Sequence, residues 1–217
     1  MNQFIYRFFY GHRDGPWPVQ LAVTVLLIMV VTACGTMKPL PVKPTSDDEQ
    51  ALQQRQFQLE KLGYWQLSGR VAMITSDESW SGQLYWEQGP SEYLIHFSAP
   101  SGQGAMQLAG GVQGVELRLA NGDVYQAEDA NTLLRRETTW DLPIDALWYW
   151  IRGLPDPSLP IKVQMDSQGL ISDLTQKQWR VRYNRYQQYG QYYFPRKIVI
   201  SNDGTKLKLI VTQWNVS

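Results

Sequence analysis

The chain has 217 residues, the length of one domain or at most two. Twenty Lys and Arg balance twenty Asp and Glu, which argues against a strongly basic nucleic-acid binder and against an acidic disordered tail. The single cysteine excludes an intramolecular disulfide and a thiolate-rich metal site, so the unusual feature is the aromatic supply of nine Trp and twelve Tyr.

Leu21 to Val31 form an uncharged apolar run of eleven residues. A membrane-spanning helix needs about 20 such residues, so the run has the length of a signal-peptide core instead. Arg7 and Arg13 give it the positive flank that such a core carries. A buried core helix with an incidental cysteine is the competing reading. The N-terminal position and the shortness of the run favour the signal. The run ends in Val31-Thr32-Ala33-Cys34, which resembles a bacterial lipobox. That likeness implies cleavage after residue 33 and acylation of Cys34, with residues 34–45 as lipidated N-terminus and tether and 46–217 as the domain. Removing residues 1–33 leaves 18 basic and 19 acidic side chains, so the charge argument survives processing. Lipoproteins with Asp after the acylated cysteine are commonly kept in the inner membrane. Gly35 stands there, which implies the outer membrane.

Gly35 to Pro44 carries three prolines and no periodicity, as a flexible tether does. Ser46 and Glu49 are spaced as a capping box, and Asp47 to Leu62 are good helix formers with Leu52, Leu59 and Leu62 on one face. Gly63 stops this helix. From Trp65 the period becomes two. Strands are predicted around Trp65–Met73, Trp80–Glu87, Tyr93–Phe97 and Val115–Leu119, with Asn121-Gly122 as a hairpin turn. Glycines 102, 104, 110, 111 and 114 read as a flexible loop with strand ends. Asp129 caps a short helix through Leu133 and Leu134. Pro143 occupies the first position of another, with Ile144, Leu147, Trp148 and Ile151 on one face and Gly153 as its stop. Further strands fall at Ile161–Met165, Leu170–Leu174, Trp179–Tyr183, Lys197–Ile200 and Leu207–Val211, with Asp203-Gly204 as the last hairpin turn. The expectation is a mainly β (α+β) domain of about eleven strands and three helices, without repeats.

Catalytic and metal signals are absent. His12 leaves with the signal, and His96 lies mid-strand between Ile95 and Phe97, so no Ser-His-Asp arrangement is convincing. H-E-x-x-H, C-x-x-C and P-loop motifs do not occur. The pairs Asp47-Asp48 and Glu128-Asp129 suit helix N-termini. A hydrolase using two distant carboxylates is the weakest reading. By composition the aromatic residues fit either a core or an apolar ligand cavity.

Residues Leu142 to Pro155 carry a Leu-Pro followed by Trp150-Ile151-Arg152-Gly153-Leu154-Pro155. This segment resembles the LolB family of outer-membrane lipoprotein receptors, which shows a Leu-Pro and then a Trp-Ile-x-Gly-Leu-Pro ending. Gly69-Arg70, Trp86-Glu87-Gln88, Pro100-x-Gly102, Trp179 with Val181 and Tyr183, and Trp214 extend the likeness from about Tyr64 to Trp214. The resemblance implies a strongly curved, unclosed antiparallel β-barrel whose helices cover an apolar cavity. It implies a monomeric, non-enzymatic receptor without cofactor, anchored through Cys34 on the periplasmic face of the outer membrane. Its partners would be a LolA-like periplasmic carrier, acylated lipoproteins and outer-membrane lipid, not nucleic acid. It also tips the aromatic excess towards a cavity. Expected lining residues are Val71, Met73, Leu84, Trp86, Ile95, Phe97, Leu117, Trp148, Ile151, Trp179 and Val181. The family places an exposed Leu between the Pro and Gly of the loop after the third strand, where it serves membrane delivery. Here Ser101 stands there, so Pro100, Ser101 and Gly102, with Met106 nearby, are the expected membrane-facing loop. A lipid-anchored scaffold or assembly factor is the alternative, and it would need an exposed apolar patch in place of an internal cavity.

Overall fold

The period-two alternation builds eleven strands of one antiparallel sheet. The computed structural model describes residues 46–216, except 101–103, 139 and the side chains of 46–49. The signal, tether, Cys34, Ser101, Gly102 and the Ser46–Glu49 capping pair therefore lie outside the described residues.

Helix α1 (Ser46–Glu60) precedes a first meander: β1 (Trp65–Ile74), β2 (Ser79–Gln88), β3 (Tyr93–Ser98), β4 (Met106–Gly111), β5 (Gly114–Leu119) and β6 (Val124–Ala127). Helices α2 (Ala130–Glu137) and α3 (Ile144–Trp150) follow. A second meander, β7 (Lys162–Met165), β8 (Ile171–Gln176), β9 (Trp179–Tyr189), β10 (Tyr192–Ser201) and β11 (Lys206–Val216), returns to pair β11 with β1. The order β6-β5-β4-β3-β2-β1-β11-β10-β9-β8-β7 leaves β6 and β7 as unpaired edges, so the curved sheet is not closed. The chain must cross from one edge to the other, and α2 and α3 make that crossing over the apolar side.

Local chemistry explains the helix limits. Asp129 caps α2, its Oδ1 accepting from the Thr132 N–H at 2.8 Å. Pro143 sits one place earlier than the sequence suggests, as the cap of α3 and not its first residue. The Asn131 Oδ1 accepts the Ile144 N–H at 2.8 Å in compensation, so α2 caps α3. On α3, Ile144, Leu147 and Ile151 are buried as expected, but Trp148 is only half-buried and Trp150 is buried in its stead.

Two strand expectations need correction. The glycine-rich stretch is not a loop throughout: Met106–Gly111 is β4, paired with β3 and β5. Gly110 opposes Tyr93, and a Cβ there would come within 2.3 Å of the Tyr93 ring, so glycine makes room for an aromatic neighbour. Strands β9 and β10 are longer than predicted. They continue to a tight turn at Gly190, past a bulge at Pro195 that hid the alternation.

Buried apolar residues from all three helices and from every strand except the edge strands β6 and β7 form one continuous core. The described residues thus share one sheet and one core.

Candidate functional site

The concave face of the sheet and α3 enclose a cavity of about 30 Å³, room for about one water molecule. Its wall is apolar throughout. Val71 comes from β1, Leu84 and Trp86 from β2, Ile95 and Phe97 from β3, and Leu207 and Leu209 from β11. Leu142, Ile144, Leu147 and Ile151 close it from the helix side. Strand register brings the sheet residues together: Leu84 opposes Phe97, Trp86 opposes Ile95, and Val71 opposes Leu209.

Of the expected lining residues, Val71, Leu84, Trp86, Ile95, Phe97 and Ile151 meet at this wall. Met73, Leu117, Trp179 and Val181 are buried in the core outside it. Trp148 turns away, its ring 3.5 Å below the Arg152 guanidinium. The wall residues missed by sequence reading had a signal. Ile144 and Leu147 lie on the apolar face of α3, and Leu207 and Leu209 alternate in the last strand. The aromatic excess goes mostly to core packing. Trp65 packs on Trp86 and Trp214 at 5.6 and 5.5 Å, and among the described residues only Trp86 and Phe97 contribute rings to the cavity wall.

A groove of about 440 Å³ lies at one rim, lined in part by Ala105, Met106, Leu119 and Trp140. Phe97 lines the cavity and Trp140 the groove, and their rings meet edge-on at 5.4 Å. Trp80 packs against both, at 5.8 and 5.5 Å. Three aromatic rings thus separate the cavity from the rim. Pro100 is exposed at this rim, whereas Met106 is 5% exposed, so Met106 offers little apolar surface beyond the groove wall.

The roof is anchored unequally. At its C-terminal end the buried Gln176 accepts the Trp150 Nε1–H and the Asp156 N–H through Oε1, at 2.7 and 3.0 Å, and donates to the Asp156 carbonyl at 2.8 Å. The Tyr183 hydroxyl donates to the Trp150 carbonyl at 2.9 Å. Gly153 takes φ +76°, where an added Cβ would lie 2.9 Å from the Tyr186 hydroxyl. Arg152 is fully buried, donating to the carbonyls of Trp148 at 3.0 Å and of Leu59, in α1, at 2.9 Å. Burial pushes its guanidinium down to about 10, so it stays a cation at neutral pH. Arg55 of α1 donates back to the Arg152 carbonyl at 3.1 Å and to that of Tyr193. At the N-terminal end of α3 the half-buried Asn131 accepts the Ile144 N–H and donates to Asp145, both at 2.8 Å.

The opposite rim has a different character. A hollow of about 670 Å³ there has Glu87, Glu92 and Glu116 in its wall. The Tyr64 and Tyr85 hydroxyls each donate to Glu87 at 2.8 Å and hold its carboxyl below the usual carboxylate range. Such a lining does not suit an apolar ligand. His96 is half-buried, in β3, with its backbone partners Tyr85 and Gln107 on either side. Among the described residues no three His, Cys, Asp or Glu side chains gather as a metal site.

The fold and the site define an open eleven-stranded barrel built around a helix-roofed apolar interior. A family profile described as outer membrane lipoprotein LolB matches residues 63–214. The chain is 34% identical to the outer-membrane lipoprotein LolB of Nitrosococcus oceani, over 89% of this chain and 97% of the relative. It is 33% identical to that of Cellvibrio japonicus, over 88% and 96%. A solved LolA superfamily protein from Nitrosomonas europaea aligns with TM-score 0.48 and 8% identity, over 78% of this chain and 93% of that one. The chain belongs to the LolB family of outer membrane lipoproteins.

Proposed function

We propose that this chain is the outer-membrane receptor that takes lipoproteins from a LolA-like periplasmic carrier, holds their acyl chains in the apolar cavity, and passes them to the bilayer. The observation that carries this is the wholly apolar wall between the sheet and α3, in a chain of this family. Burying each CH₂ is worth ~0.8 kcal/mol, so free passage of acyl chains through water is forbidden and a protein interior must shelter them. The chain acts as a container and not as an enzyme. Transfer then needs no chemical step, only rising affinity from carrier to receptor to membrane. Cys34, acylated, would hold the receptor at its destination on the periplasmic face.

A long acyl chain has many times the cavity's volume, so the roof must lift. The C-terminal end of α3 is fixed by buried hydrogen bonds and the N-terminal end by half-buried and exposed ones. Opening therefore starts at Ile144 and the preceding Trp140 segment, where local stability is lowest. That movement parts Trp140 from Phe97 and joins the cavity to the rim groove. The apolar lining lies inside, while exposed apolar residues such as Phe57, Val112 and Ile161 belong to separate elements and turns, which favours a container over a scaffold.

The test is to incubate the mature chain carrying Cys34→Ala with carrier-bound lipoprotein. The lipoprotein should move onto the receptor without nucleotide. Its retention on the carrier overturns the reading.

A further inference from the structure

The formal charge of zero conceals a segregation. Four neighbouring strands, β1, β11, β10 and β9, contain eight Lys or Arg and no Asp or Glu. Seven of the eight cations are exposed, on the face opposite the core, and register sets them in three cross-strand rows. Arg185 opposes Lys197, whose other neighbour Ile210 opposes Arg70. Arg182 and Lys208 flank Val199. Arg180 and Lys206 flank Ser201, and Lys206 opposes Ile74.

Like charges directly across a ladder destabilise a sheet, and a face that only meets water mixes its signs. Here Arg180 alone has an acidic partner among the described residues, Asp173 of β8 at 2.7 Å. The other acids nearby, Asp77, Glu78 and Asp203, lie in rim turns. Ile74 and Ile210 stand among the cations, 40% and 42% exposed.

The row of Arg180, Lys206 and Ile74 lies at the same strand ends as the rim groove, since Ile74 pairs with Ser79 at the start of β2, and Gln83 pairs with Ser98 at the end of β3. The cationic face therefore borders the rim through which cargo passes.

We propose that this convex face is a docking platform for an anionic phospholipid bilayer, which sets the cargo rim against the membrane. The proposal rests on the receptor reading for its purpose, though not for its geometry. A sheet face with cations on long flexible stems, interleaved with single aliphatic residues, fits a delocalised anionic surface. A protein partner of fixed shape would call for clefts and paired forks.

The test is sedimentation of the mature chain carrying Cys34→Ala with vesicles. One set is phosphatidylethanolamine alone, the other equal parts phosphatidylethanolamine and phosphatidylglycerol. Binding should require phosphatidylglycerol and disappear at high salt. Combined Arg182→Glu, Lys206→Glu and Lys208→Glu should weaken it by at least about 100-fold. Arg118→Glu, on β5, should change it little. Equal binding to both vesicle sets, salt-insensitive binding or an unweakened triple variant would overturn the proposal. So would a triple variant that loses only affinity for purified carrier, since that marks the face as a protein interface. Fatty-acid uptake, measured alongside, keeps the two readings apart. Uptake without vesicle binding defeats the platform alone, and vesicle binding without uptake defeats the receptor alone.

Discussion

Gly153 shows how one residue fixes the roof. Its φ of +76° and the hydroxyl and proline facing it leave no room for a side chain. Gly153→Ala should lower stability by about 1–3 kcal/mol, read as a shift in urea midpoint. Tyr183 and Tyr186 act at the same place. Burial holds both phenols neutral, well above their ordinary value of 10. In the unfolded chain they ionise near that value. The stability they confer is full below pH 10 and falls as pH rises beyond it. Arg152 works the other way, since its lowered value lets the folded state shed a proton first. The raised phenols, Tyr85 and Tyr93 among them, outnumber the lowered guanidiniums of Arg55 and Arg152, so urea midpoints should fall above about pH 10, and Tyr183→Phe with Tyr186→Phe should flatten that fall.

At the scale of elements, α1 and the end of α3 are joined by arginine hydrogen bonds to backbone carbonyls. Arg152→Met keeps most of the apolar stem but removes the shorter of the two hydrogen bonds to the Leu59 carbonyl, leaving it the Leu62 N–H at 3.3 Å. Amide exchange in α1 should then accelerate while that of β1 and β11 stays unchanged. The aromatic partition makes a kinetic statement. Trp140→Ala removes the groove side of the partition without touching the cavity wall. A fluorescent fatty acid should enter several-fold faster with a smaller change in affinity, and an unaltered rate would place the entrance elsewhere. Periodicity made most strands and the α3 face legible in the sequence. It failed at β4, because glycines without side chains show no alternation, and at β10, because Pro195 shifts the register. The aromatic count was legible as a number but not as a place. Burial could not be divided between core and cavity until the register set Trp65 against Gln88 and Val216, and Trp86 against Ile95.

Over the whole molecule, one sheet does two jobs by its alternation. The inward residues make an apolar interior, and the outward ones segregate charge that the net count hides. The segment from Leu142 to Pro155 was legible because its end is closely specified, by Gln176, Tyr183 and the positive φ of Gly153, while Asn131 meets its start. The particular wall residues were less legible, since alternation says which side a residue faces and not which neighbour it meets. The receptor role requires that acyl chains occupy the interior under α3. The most direct measurement is methyl NMR with a spin-labelled fatty acid. Broadening should be strongest at wall methyls such as Leu84, Ile95, Ile144, Leu147, Ile151 and Leu209, and weaker at Ile171 and Leu174 of β8. Broadening only of exposed methyls such as Ile74 and Ile161, or of none, would mean that acyl chains do not enter beneath α3.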